Sequence, residues 1–294
     1  MSAHRTAAAP AGPNRKPRDD EIDVHGLTHT GKVRKENQDH FLICALKKQM
    51  EIYGTSLPET EHLLVGPQRF AFLMMVADGV GGAAKGADAS RLALEAVTQY
   101  VAHSSRCYYA AGMQSDGEFT EALQEAAVLC HAQLRRQGEG NPEYRGMATT
   151  LTLYLGAWPR AYLLQVGDSR CYLLRGDELT QITRDQTVAQ DLVDLGVMTR
   201  ADASKTKLAH TLSSAIGGRS PAPVVTALDF EWGATALLCS DGLTNHVSDE
   251  RIRDRLRSMK SAKQVCQDLL KEALDEGGSD NITIVVARAL PGKD

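Results

Sequence analysis

Apolar runs of strand length in this chain repeatedly end in a carboxylate, and that recurrence constrains the fold more than any bulk property. Phe70 to Ala77 is an unbroken apolar run that stops at Asp78-Gly79. Ala236 to Cys239 leads through Ser240 into Asp241-Gly242, and "YLLQVGDSR" delivers Asp168. A short apolar run bounded by turn residues reads as a buried strand. One Asp-Gly is ordinary turn chemistry. Recurrence points instead to strand ends that gather carboxylates at one place.

The rest of the chain reads as strands interrupted by helices. Strands are expected at 22–29, 38–46, 70–77, 149–156, 160–167, 170–175, 178–183, 224–229, 234–240 and 281–290. "RCYLLRGDELTQIT" reads as a hairpin turning at Gly176-Asp177, and such short connections favour antiparallel pairing. Helices are expected over 87–102, 120–136, 248–259 and from Ser261 to about Asp275. In the second, Leu123, Ala127, Cys130 and Leu134 share a face, with Thr120 as N-cap. Ser261 and Gln264 form a capping-box pattern for the last, and Gly277-Gly278 stops it. Stacked sheets covered by helices bury this order of elements. Two segments resist assignment: 47–69 reads as a polar insertion loop, and 184–218 as a short helix followed by loop. Loops of that length in a compact domain are often functional.

Composition excludes several classes. The net charge of -4 exerts no global pull towards nucleic acid or an anionic membrane. No apolar run approaches the roughly 20 residues of a membrane-spanning helix. The six cysteines include no CxxC pair and read as small buried hydrophobes in a reducing cytoplasm. The first twenty residues, rich in Ala and Pro, lack the apolar core of a secretory signal and read as a disordered tail. The remainder, 21–292, reads as one folded domain.

Further acids stand at strand ends: Asp39 in "GKVRKENQDHF" and Asp280 in "GGSDNITIVV". Converging carboxylates repel one another and are costly to bury unpaired. Hard divalent cations resolve that cost, and an oxygen-only set suits Mg²⁺ or Mn²⁺ rather than zinc or copper. Spacing alone leaves both readings open, turns at unrelated sites or one metal centre.

The motifs "GKVRKENQDHF", "VADGVGG", "GMATTLTLYL", "VGDSRCYLL", "LLCSDGLTNHV" and "GGSDNITIVVA" run in order from about residue 24 to 290. Together they resemble the metal-dependent protein phosphatases of the protein phosphatase 2C (PPM) type, in their bacterial form. The resemblance implies an α+β fold, a four-layer α-β-β-α sandwich of two stacked antiparallel sheets flanked by helix pairs. It implies hydrolysis of phosphoserine and phosphothreonine in proteins by a water bridging two Mn²⁺ or Mg²⁺ ions, with no phosphoenzyme intermediate. Carried over by position, Asp78 bridges the two core metals and Gly79 offers its carbonyl to one. Asp241 and Asp280 ligate the other, and Asp39 stands beside them. Asp168 with Asp241 matches a third-metal site. Arg34 matches the arginine that grips the substrate phosphate, a job suited to a planar fork of donors. Gln38 and Asn281 support these ligands from behind.

Some positions depart from the pattern. Gln38 replaces a glutamate that reaches metal through water. Val80 stands where eukaryotic relatives carry a histidine proposed as general acid. Ala83 and Ala87 replace the His and Glu of the bacterial "GGHxxGExAS" pattern. Residues 184–218 correspond to the variable flap beside the site. His210 and His246 read as surface or packing histidines. The partners implied are phosphoprotein substrates of a cognate Ser/Thr kinase, with the kinase itself a further candidate, and the chain is expected to be a cytoplasmic monomer. Two alternatives stay open: a catalytically weak regulatory or binding relative, and a two-metal hydrolase of small phosphoesters.

Overall fold

The computed structural model describes residues 13–48, 68–81, 83–111, 116–203 and 205–292. In chain order the strands are β1 (Ile22–His29), β2 (Asp39–Lys48), β3 (Gln68–Val80), β4 (Ala148–Thr149), β5 (Leu151–Ala157), β6 (Arg160–Val166), β7 (Arg170–Arg175), β8 (Glu178–Gln181), β9 (Val224–Asp229), β10 (Thr235–Cys239) and β11 (Ile282–Ala289). The helices are α1 (Ala83–Ala111), α2 (Asp116–Gly140), α3 (Val188–Asp194), α4 (Arg200–Ala203), α5 (Asp241–Thr244), α6 (Asp249–Arg257) and α7 (Ala262–Asp275). One sheet has the order β1-β11-β10-β7-β8 and the other β2-β3-β5-β6-β9, with antiparallel pairing throughout.

The apolar runs are continuous because their strands are covered on both faces. Along β3, Leu73 and Met75 pack with Ala89, Ala93, Val97 and Leu123 of α1 and α2. Met74 and Val76 point the other way, into a core shared with Leu173, Ala236, Leu238 and Val285 of the opposite sheet. β10 alternates likewise: Leu237 and Cys239 meet Ile252, Val265 and Leu269 of α6 and α7. Period-two alternation with both faces apolar produces an unbroken run and four layers, helix pair, sheet, sheet, helix pair.

Helix ends follow local chemistry with two corrections. Ser261 caps α7 by accepting from the Gln264 N–H at 3.2 Å, while the Gln264 side-chain oxygen accepts from Lys260 N–H rather than closing the box on Ser261. Gly278 and Gly277 N–H donate to the carbonyls of Ala273 and Leu274 at 2.9 and 3.1 Å, ending the helix in a Schellman arrangement. Thr120 is not an N-cap. α2 begins at Asp116, and Phe119, stacked on Tyr162 with ring centroids 4.4 Å apart, carries the apolar face one turn further.

Residues 13–20 also depart from the expected tail. They form a strap across the end of the sandwich, in which Arg15 forks Glu21, Asp19 pairs with Arg69, and Trp232 donates to the Pro13 carbonyl. Residues 1–12 of that tail and 49–67 of the expected insertion loop lie outside the described residues. Within 184–218 the segment is more structured than expected, with α3, α4 and a 3₁₀ turn at Lys207–His210. An isolated bridge from Thr187 to Leu212 closes the segment on itself, and one from Thr149 to Ile216 ties it to the domain.

Candidate metal centre

Antiparallel pairing brings the acid-bearing strand ends to one edge of the sandwich. Asp39 opens β2 and lies directly opposite Asp78 on β3. Asp168 lies in the connection from β6 to β7, Asp241 follows β10 across Ser240, and Asp280 precedes β11 across Asn281. β10 pairs with both β7 and β11, so those last ends are adjacent. Asp78, Asp168, Asp241 and Asp280 line a single cleft with Arg34, Gly79 and Asn281. Asp39 is buried behind its floor, 2% exposed.

The Asp-Gly pairs are not turns. β3 runs on through Asp78 to Val80, and Asp241 is the first residue of α5. The glycines are needed for close approach. A Cβ on Gly79 would stand 2.1 Å from the Gly86 carbonyl oxygen at the start of α1, and one on Gly242 would stand 1.9 Å from that of Asn281. Any side chain at either position would push apart the backbones that carry the acids.

Each acid is held by groups that spacing did not reveal. The Asp39 Oδ2 accepts from Ser240 Oγ at 2.7 Å and Thr283 Oγ1 at 2.8 Å, so a β2 acid is gripped by the opposite sheet. Its other oxygen, Oδ1, is buried with no hydrogen-bond partner in the structure. The Asp78 backbone is fixed by Thr150 Oγ1, which accepts its N–H, and by Thr149 of β4, which pairs with Gly79 and whose hydroxyl donates to the Asp78 carbonyl. Asn245 donates to Asp241 at 3.1 Å. Asn281 accepts the Gln38 N–H and donates to the carbonyls of Thr30 and Glu36, tying the loop that carries Arg34 to the loop that carries Asp280. Ser240 and Thr283 carried no signal in the sequence, since a hydroxyl on a strand looks the same whether or not a carboxylate faces it.

Arg34 is half exposed at the cleft mouth, and its Nε and Nη2 fork Asp280 at 2.8 and 2.6 Å. Lys35 also lines the cleft. The flap contributes His210, Thr211, Leu212 and Ala215, and His210 Nδ1 stands 4.0 Å from Asp241 Oδ2. His210 is thus an exposed histidine, as expected, on the rim of the cleft. His246 lies behind it, accepting the Ser279 N–H at 2.9 Å and so bracing the Asp280 loop. Val80 is exposed and offers no titratable group. Ser90 donates to the Gln38 carbonyl at 2.6 Å, anchoring the strand beside Gly79.

The electrostatics are those of crowded acids. Burial, only partly offset by the Ser240 and Thr283 hydrogen bonds, pushes the Asp39 carboxyl up to about 7. Burial and the charge of Asp241 push Asp168 up to about 8. Asp78 rises well above the usual range through burial and then the charge of Asp39, and Asp241 rises through burial and then Asp280. Among the described residues no three His, Cys, Asp or Glu side chains stand close enough as they are to hold a metal ion. What they form is an oxygen-only, negatively overcharged cluster with an orphaned carboxylate oxygen at its base. That donor chemistry fits hard divalent cations and not the thiolate or imidazole sets of zinc and copper. Arg34 on Asp280 is a counter-charge of the same sign that such a cation would supply.

Comparison with known proteins agrees with this geometry. Residues 61–283 match the family model described as protein phosphatase 2C. The serine/threonine protein phosphatase PstP of Mycobacterium tuberculosis is 39% identical over 217 residues, 74% of this chain and 40% of that protein, so the matched stretch spans less than half of that relative. The serine/threonine phosphatase stp of Listeria welshimeri is 30% identical over 73% of this chain and 83% of its own length. The solved catalytic domain of PstP in complex with two manganese ions superposes with a TM-score of 0.68 at 32% identity, covering 92% of this chain and 99% of that one.

Proposed function

The chain belongs to the protein phosphatase 2C family, and from that premise we propose that it hydrolyses phosphoserine and phosphothreonine esters in proteins in a reaction that depends on Mn²⁺ or Mg²⁺. The observation that carries this reading is the convergence of Asp78, Asp168, Asp241 and Asp280 in one cleft over a buried Asp39. In this reading Asp78, the Gly79 carbonyl, Asp241 and Asp280 hold two core ions with Asp39 beside them, and Asp168 with Asp241 holds a third. Bound there, the ions supply positive charge to phosphoryl oxygens and lower the pKa of water.

The chain's own groups do the positioning. Ser240 and Thr283 hold the Asp39 carboxylate, and Thr149 and Thr150 hold the Asp78 backbone, so the acids are set before substrate arrives. Arg34 releases one fork partner, Asp280, and takes another, the phosphoryl group, as its exposed position at the cleft mouth allows. None of the described thiols, at positions 44, 130, 171, 239 and 266, lines the cleft, and burial pushes those of Cys130, Cys239 and Cys266 up to about 12. A direct attack by water, with no phosphoenzyme, accords with that.

Substrates and partners follow from the same premise. The relatives' names support phosphoproteins as substrates, and we extend the proposal to the targets of a cognate Ser/Thr kinase. No helix among the described residues is long and apolar enough to cross a membrane. The free cysteines among the described residues accord with a reducing cytoplasm, and we extend the proposal to a cytoplasmic monomer. Phosphate release should be measured from phosphoserine and phosphothreonine peptides, a nucleotide and p-nitrophenyl phosphate, with EDTA and with added Mn²⁺. Peptide turnover that needs Mn²⁺ supports the proposal. Turnover of the nucleotide alone would shift it to a small-phosphoester hydrolase, and turnover undiminished in EDTA would reject the metal centre.

A further inference from the structure

The cleft that gathers the acids has one wall without charge. Val80 of β3 pairs with Ala148 of β4, and Gly79 with Thr149. Thr149 in turn bridges Ile216, at the base of the flap. Carried one residue along, that register sets Thr150 opposite both Asp78 and Ala215. Residues opposite one another share a face of a sheet, and so do residues two apart along a strand. Asp78, Val80, Ala148, Thr150 and Ala215 therefore face the same way, and all five line the cleft. Gly81 and the flap's Leu212 line it as well.

These residues form an apolar ledge directly beside Asp78. The loop that carries Arg34 and Lys35 supplies basic groups to the same cleft, whereas Val80, Gly81, Ala148, Leu212 and Ala215 supply none. Ala148 and Ala215 offer only methyl groups, so the ledge is shallow. Val80 is 42% exposed, the most exposed apolar side chain of β3, in a strand otherwise covered on both faces. It stands two residues from Asp78, about 7 Å at the rise of a strand. An extended peptide has the same repeat. With its phosphoresidue pointing into the cleft over Asp78, the side chain two positions away points down about 7 Å further along, which is the spacing of the ledge. An apolar side chain there displaces water from Val80 at a gain, and a charged one loses its own water without a partner.

We propose that this ledge reads an apolar side chain two positions from the phosphoresidue of an extended substrate, with Val80 setting the preference. The inference rests on the phosphatase reading above, which seats the phosphoryl group over Asp78. The occupant is the substrate itself, because the ledge is continuous with the cleft that holds the reacting group.

The test is kcat/KM, with Mn²⁺, for phosphothreonine peptides on a glycine-serine background. Leucine or aspartate is placed in turn at the two positions before and the two after the phosphoresidue. Leucine at one of the positions two removed should raise kcat/KM about fivefold over the background peptide, as expected for partial burial of such a side chain. Leucine directly beside the phosphoresidue should not. Val80→Ser should bring the ratio of leucine to background peptide close to one. Val80→Lys should reverse the preference, favouring aspartate over leucine at that same position, a swap that loss of structure would not produce. If the lysine variant does not fold, Val80→Ser decides. The background peptide reports on the phosphatase reading: if no peptide is turned over, that reading and this proposal fall together. If peptides are turned over but leucine has no effect, acts only directly beside the phosphoresidue, or keeps its effect in the Val80 variants, the ledge alone is rejected.

Discussion

The two ends of the sandwich are built from the same strands and carry opposite charge. At one end Asp39, Asp78, Asp168, Asp241 and Asp280 converge. At the other Lys16, Arg69 and Arg175 stand beside an apolar space between the sheets. The acid end is intolerant of its own charge: Asp39, Asp78 and Asp168 hold their protons above the usual carboxyl range because burial and neighbouring acids disfavour ionisation. At the basic end most cations have a fixed acid partner, and the surplus is small. One end therefore calls for compensating positive charge, while the other is largely balanced within itself. Antiparallel strands make such a division easy, since each sheet edge collects every second strand end and the loops attached to it.

Asp78→Asn should break the acid end with the largest effect. Removing charge from the residue that faces both Asp39 and Asp241 should cut turnover by about a thousandfold or more, in the range of losing a principal electrostatic contact. The same change should raise the melting temperature in EDTA, because it relieves repulsion, and should weaken Mn²⁺ binding by calorimetry. Normal turnover with full metal binding would mean that the strand-end acids are not one centre.

Arg34→Ala comes next. Loss of a charge-assisted fork should lower kcat/KM for a phosphopeptide by about 1.5–3 kcal/mol. Mn²⁺ affinity should hold or rise slightly, since Asp280 loses a competitor. An unchanged kcat/KM would leave Arg34 as a partner of Asp280 and nothing more.

At the basic end the matching change is Arg69→Met. Arg69 is buried and joins the strap to the sheet through Asp19 and the Pro17 carbonyl. Its loss should destabilise the fold by about 1–3 kcal/mol, the cost of leaving buried partners unpaired. Denaturant unfolding measures it. Activity per folded molecule should not change, which separates the two ends.

The smallest effect is a slope in pH. Asp39 and Asp168 have folded pKa values of about 7 and about 8, raised above their ordinary carboxyl value of 3.8. The folded state thus binds protons more tightly than the unfolded chain between about pH 4 and pH 8. In EDTA these acids favour the fold fully at the low end of that window and lose that contribution as pH rises through their folded values. Asp168→Asn should make the fall in melting temperature between about pH 5 and pH 8 shallower than in the parent. Added Mn²⁺ should reverse the trend, since only ionised carboxylates bind it. A steeper fall in the variant would contradict the assignment.

Parts of this architecture are legible in the chain and parts are not. The run from Phe70 to Ala77 announces a strand covered on both faces, and the helical spacing of Leu123, Ala127, Cys130 and Leu134 announces a buried stripe, because periodicity is set by local backbone geometry. The glycines after Asp78 and Asp241 were legible as special positions but not for the right reason. A turn and a close backbone approach leave the same letter, and only the Gly86 and Asn281 carbonyls tell them apart. Asp39 as a strand-end acid was legible, whereas its clamp by Ser240 and Thr283 was not, for those residues lie about two hundred positions away in sequence. Residues 13–20 looked like tail because their composition is that of a tail. Their order comes from Glu21, Arg69 and Trp232, partners supplied by other parts of the fold.

The sequence by itself determined the elements, the strand-end position of each acid and, through six ordered motifs, the family. Tertiary structure decided which strand ends meet. That outcome rests on register and on the stacking of two sheets, which are set by contacts between residues far apart in the chain and so leave no local period to read. It also decided that residues 13–20, which have the composition of a tail, lie against the far end of the same strands, where Asp19 meets Arg69 and Trp232 meets the Pro13 carbonyl.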